Sequence, residues 1–276
     1  MKTDDSQKEK ETLQNGGNPF FEMKATLQSF IKNKKWESLK EASRNIISLY
    51  PEMEFGWFAL AMAYSRTGDH KSATTNYKKA IYLNPDFTSA YYQLGITHFR
   101  TGEYAEAIGF FKLTMGKGMQ SHYLYYNLGN AYYKSLDFER AIKNYLKCLS
   151  ITPSFTPAAY GMFKIYFKEE NYKFAVNTLK PVISDTNLPS YLLSKARLLY
   201  ENEKETSYFN LRQAQKLLNS AIDLDDKFAL AYYERAYVKA RLGDSKGFTH
   251  DKAMAFQLNP ELRKGHSVSI YSSFYL

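Results

Sequence analysis

The 276-residue chain is 44% hydrophobic and 24% charged, which is enough apolar material for a packed core and too much for a disordered polymer. Its net charge of +9, from 37 basic and 28 acidic residues, favours acidic partners. The lysines are spread out with no block of five, which argues against nucleic acid, and no run of about 18 apolar residues offers a membrane span.

In chain order, residues 1–18 are polar, predict a disordered tail and carry no apolar run of a secretory signal. One cysteine, Cys148, excludes an intramolecular disulfide and a Cys-rich zinc site, and a cytoplasmic, reducing setting is expected. Aligned on Pro51, Pro85 and Pro153, the chain then repeats every 34 residues. Periods open at Phe20, Glu54, Thr88, His122, Thr156 and Ser190, and a seventh opens at Ala229 after five extra residues. The first departs from the pattern, with Met23 and Leu39 at two of its marked offsets, yet Trp36, Leu39 and Ile46 keep helical spacing. In the second, Trp57, Leu60, Ala61 and Tyr64 form one helix face, Gly68-Asp69 breaks it, and Ala73, Tyr77 and Ala80 line a second helix that Asn84-Pro85 ends. The third repeats this with Tyr91, Leu94, Gly95, His98, Gly102, Ala107, Phe111 and Thr114, and the fourth with Tyr125, Leu128, Gly129, Tyr132, Ala141, Tyr145 and Cys148. The fifth has Phe163 at the small offset, and Pro181 predicts a kink or early helix end near Lys180. The sixth carries the extra residues at 201–208, before Ala214, Leu218 and Ala221. The seventh has Tyr232, Arg235, Ala236, Gly243-Asp244 and Ala255, with Phe248 at a small offset and Lys252 at an aromatic one. Residues 261–276 end in an apolar stretch, 267–276, expected to fold back as a cap or to dock on a second copy.

This order of bulky, Leu, small, Tyr, Gly, Ala, aromatic, Ala and Pro over 34 residues resembles the tetratricopeptide repeat (TPR) family, from about residue 20 to 260. The resemblance implies an all-α fold, an α-solenoid in which about seven helix-turn-helix repeats stack into a right-handed superhelix with a concave groove. It also implies that offsets 2, 5, 6, 9 and 12 of each first helix line that groove. Offset 5 then presents Phe58, Tyr92, Tyr126 and Tyr160, offset 6 adds Gln93 and Asn127, offset 9 adds Asn130 and Lys164, and offset 12 adds Tyr133. Asn and Gln amides can both donate to and accept from a peptide backbone, and Tyr supplies stiff apolar area with a polar tip. These nine residues are the candidate peptide-binding site, although the same tyrosines can serve packing between repeats. The two-carboxylate clamp of heat-shock co-chaperones is not present: counted from the third repeat, only Asn127 falls on one of its places.

Nothing in the sequence points to catalysis, a cofactor or a metal. His70, His98, His122, His250 and His266 fall in different repeats, and His98 occupies a core Tyr offset. Cys148 takes the place of a small buried alanine, where a thiol is inert. Gly116-Lys117-Gly118 lacks the spacing and the Ser/Thr of a phosphate loop. The expected function is a non-catalytic scaffold or adaptor whose partner is a protein or peptide segment, with an acidic one favoured by the net charge. The alternatives are a structural protein that self-assembles as a homo-oligomer through its terminal repeats or tail, and a nucleic-acid binder.

Overall fold

The computed structural model describes residues 19–181, 188–200 and 206–264. Among these residues there are fourteen α-helices, a closing 3-10 turn and no strand. No described helix is long and apolar enough to cross a membrane. The tail 1–18, residues 201–205 of the insertion and the apolar stretch 267–276 lie outside the described residues. The helices gather into two units that divide between Asp137 and Phe138.

The first unit holds α1 (Pro19–Lys32), α2 (Trp36–Leu49), α3 (Glu54–Arg66), α4 (His70–Leu83), α5 (Thr88–Arg100), α6 (Tyr104–Gly116) and α7 (His122–Lys134). Local chemistry sets the helix ends. Asp69 accepts from the Ser72 backbone N–H to cap α4, and Ser121 accepts from Leu124 N–H to cap α7. Gly68 and Gly102 end α3 and α5 at φ of 89° and 83°, a backbone conformation that an L side chain resists. Each helix packs chiefly on its sequence neighbours, α3 on α4 and α5 on α6 most extensively. The core runs through Leu27, Leu39, Tyr77 and Leu94, all fully buried, so the large Leu39 at a small offset is absorbed by the interior. Gly95 has a definite neighbour, since a Cβ there would lie 2.7 Å from the Phe111 ring. The aromatic ring therefore occupies the space that the missing side chain leaves.

The second unit holds α8 (Phe138–Ile151), α9 (Thr156–Lys168), α10 (Tyr172–Leu179), α11 (Pro189–Tyr200), α12 (Tyr208–Leu224), α13 (Ala229–Arg241), α14 (Ser245–Leu258) and the turn Pro260–Lys264. Gly161 repeats the device, with the Tyr145 ring 2.6 Å from where its Cβ would stand. Phe163 fits its small offset because it is buried among Phe167, Tyr191, Ala175 and Leu179. α10 is only eight residues long and stops at Leu179, two residues before Pro181, which has no N–H to continue the ladder. After α14 the chain turns at Asn259, and Leu262 inserts into the core at 2% exposure.

Candidate peptide-binding face

In the first unit the candidate residues lie on α5 and α7, one helical turn or less apart along each helix. Tyr92, Gln93, Tyr126, Asn127, Asn130 and Tyr133 are all half-buried, with part of each side chain open to solvent. The Asn127 Nδ2 donates to the Tyr92 hydroxyl at 2.8 Å and so ties the first helix of one repeat to the first helix of the next. The Tyr92 ring rests against Phe111, with centroids 6.0 Å apart. Burial pushes the Tyr92 phenol up, and the Asn127 hydrogen bond only partly offsets this, so the hydroxyl stays neutral and keeps its proton to donate.

Phe58 does not belong to this face. It is buried at 7% exposure, with the rings of Phe87, Phe55 and Tyr77 at 4.8, 5.7 and 5.8 Å. A phenyl ring at offset 5 has no polar tip to hold at the surface, so it turns into the core, where Tyr92 and Tyr126 stay half out.

In the second unit, Tyr160 stacks on Phe163 at 6.0 Å and 12°, and the Lys164 ammonium stands 5.4 Å from its ring centre. Burial pushes the Tyr160 phenol up. Two charged clusters that the sequence does not mark as sites lie on α11, α13 and α14. Glu234, at 1% exposure, accepts from Arg197 Nη1 at 2.9 Å and from the Tyr200 hydroxyl at 2.5 Å. Burial works against the Arg197 charge, but Glu234 and Tyr200 more than compensate, so the guanidinium is held firmly protonated. Asp251, fully buried, is gripped by Arg235 through Nε at 2.7 Å and Nη2 at 2.8 Å, and by Lys239 at 2.8 Å. Burial pushes the Asp251 carboxyl up, and the Arg235 and Lys239 hydrogen bonds overcome that and hold it below the usual carboxylate range. One signal for this cluster was visible in the sequence: Arg235 stands at an offset that carries Leu in earlier repeats.

The remaining polar candidates are part of the packing. His98, at 9% exposure, stacks flat on Phe110 at 5.2 Å, and its Nδ1 meets Glu103 Oε2 at 2.5 Å. Burial pushes the Cys148 thiol up to about 11, so it remains protonated near neutral pH. Among the described residues no group of three or more His, Cys, Asp or Glu is placed to hold a metal ion.

Two family profiles match the chain, one for a TPR repeat over residues 62–102 and one for the tetratricopeptide repeat over residues 122–155. Residues 62–102 and 122–155 therefore carry tetratricopeptide repeats, and the fourteen described helices follow the same pairing. No curated protein matches it in sequence. Among solved structures it resembles the C-terminal part of a TPR repeat-containing protein from Cytophaga hutchinsonii, at 14% identity and a TM-score of 0.64, over 92% of this chain and all of that one. It also resembles a MamA RS-1 double mutant, at 17% identity and 0.55, over 60% of this chain and 93% of that one. MamA AMB-1 follows at 18% and 0.50, over 67% and 96%. At these identities the likeness is one of fold.

Proposed function

We propose that this chain is a non-catalytic interaction scaffold that holds an extended protein segment against the first helices of its repeats. Tyr92, Gln93, Tyr126, Asn127, Asn130 and Tyr133 would do this in the first unit, and Tyr160 and Lys164 in the second. The observation that carries the reading is the Tyr92–Asn127 bond. It fixes two polar side chains of consecutive repeats in one arrangement while both remain half-buried, so a segment laid across them meets donors and acceptors that are already positioned. The single buried thiol supports placing the scaffold in the cytoplasm.

The test is a peptide display library selected on the whole chain, followed by calorimetry with the enriched peptide. Tyr126→Ala and Asn130→Ala are each expected to weaken binding by about 1–3 kcal/mol, the range for a contact-making anchor and its hydrogen bonds. Unchanged affinity in both variants, with helicity intact, overturns the reading.

A further inference from the structure

The first helices of the third and fourth repeats carry one stripe in common. On α5 it runs through Ser89, Tyr92, Gln93, Ile96 and Phe99, and on α7 through Tyr123, Tyr126, Asn127, Asn130 and Tyr133. These are the same repeat positions on both helices, at the spacing of a single helix face. Each residue is at least partly open to solvent, and Tyr123 is 55% exposed. α5 and α7 touch directly, and the bond from Asn127 to Tyr92 joins the two halves of the stripe. Every side chain of the stripe is uncharged, in a chain that holds 37 basic and 28 acidic residues. The same repeat positions in the second unit include Lys164 and Lys195, so the uncharged stripe is particular to the first unit.

We propose that this stripe binds residues 267–276 of a second copy of the chain. The proposal rests on the segment-binding reading above and names the segment. A charged side chain laid on the stripe would lose water and meet no opposite charge from it, which is unfavourable. A phosphate backbone would meet no cation on it. The ligand that suits this chemistry is an uncharged segment, with hydroxyls for the amides and phenols and apolar side chains for Ile96 and the rings. Residues 267–276 carry no charge and consist of hydroxyl, aliphatic and aromatic side chains alone. Val268 and Ile270 alternate with Ser267 and Ser269, so in an extended bound form one edge is apolar and the other offers hydroxyls. Residues 1–18, by contrast, are densely charged between Lys2 and Glu11. The last repeat is a poor seat for an apolar segment, because the open side of α14 carries Lys246, Thr249, His250, Lys252 and Gln257. The stripe belongs to the first unit and the segment follows the last helix of the second, so a separate molecule is the direct donor.

Sedimentation of the full chain over a range of concentrations is expected to show a mass that rises with concentration. Two full-length variants separate the two halves of the contact. Ile270→Ser with Phe274→Ser changes the segment and leaves the stripe intact. Gln93→Glu with Asn130→Asp puts two carboxylates on the stripe at nearly constant size and leaves the segment intact. Each variant alone should self-associate about tenfold more weakly than the wild type, or less. Mixed together they should form a pair, because one supplies the stripe and the other the segment. A monomeric wild type, undiminished association of either variant alone, or a mixture that stays monomeric overturns the proposal. A synthetic peptide of residues 267–276 gives a second readout: it should bind the segment variant and not the stripe variant, with both fully helical. Equal binding to both, or binding to neither, overturns the proposal as well. If the peptide fails while the display-selected peptide still requires Tyr126, the choice of segment falls and the segment-binding reading stands.

Discussion

Leu136 holds a φ of 62° and is 70% exposed. Gly68, Gly102 and Gly243 take the left-handed conformation at the same point of their own repeats, while Lys34 and Glu170 share Leu136's position without being glycine. A non-glycine residue there costs about 1–2 kcal/mol, and an exposed side chain returns little packing for it. Leu136→Gly is therefore expected to raise stability by about 0.5–1 kcal/mol after the extra chain entropy of glycine is subtracted, read as a higher urea midpoint. A lower midpoint would show that the Leu136 side chain contributes contacts that outweigh its backbone. Asp251 makes the opposite case. Removing its charge leaves Arg235 and Lys239 facing a neutral group in the interior, so Asp251→Asn should cost about 3 kcal/mol or more near neutral pH. Its folded pKa is depressed, so its contribution is fully present above the ordinary aspartate value of about 3.9 and is lost as pH falls through the folded value. The gap between wild type and Asp251→Asn should narrow below about pH 4, and a gap independent of pH would contradict the ion-pair account. Such clusters were hard to read from sequence. Arg235 stands out at a Leu offset, but nothing in the sequence says that α14 brings Asp251 beneath it and Lys239. The fate of Phe58 was hidden for a related reason: repeat position alone does not distinguish a ring that turns inward from a phenol that stays half out.

At the scale of the element, the 34-residue period was the strongest signal in the chain. It works because each repeat buries its faces on its neighbours, so the same small and aromatic offsets must recur. The period does not state how those offsets are used. Gly95 and Gly161 make room for the rings of Phe111 and Tyr145, a contact of one small residue with one large one that sequence alone does not pair. The early end of α10 was legible because Pro181 acts through covalent geometry and needs no tertiary partner. Eight residues give α10 about two turns, with most of its amides near an end. Its amides are expected to exchange faster than those of α12, which has seventeen residues and buries Leu211, Ala214, Leu218, Ala221 and Ile222. Exchange in α10 as slow as in α12 would mean that tertiary packing, not helix length, sets its stability.

At the scale of the whole molecule, contacts within each unit run mainly between helices adjacent in sequence, so stability is carried repeat by repeat. The fold follows from recurring residue types, whereas the proposed binding face depends on single substitutions within the repeat. Asn127 meets Tyr92 because both stand on consecutive first helices, and Lys164 meets Tyr160 because they lie one turn apart. The most direct measurement of the central claim is hydrogen exchange of the full chain with and without the display-selected peptide. The account predicts slower exchange on binding in α5 and α7 of the first unit and in α9 and α11 of the second, with α4, α6 and α12 unchanged. Protection confined to the second helices, or spread evenly over both helices of each repeat, would contradict it.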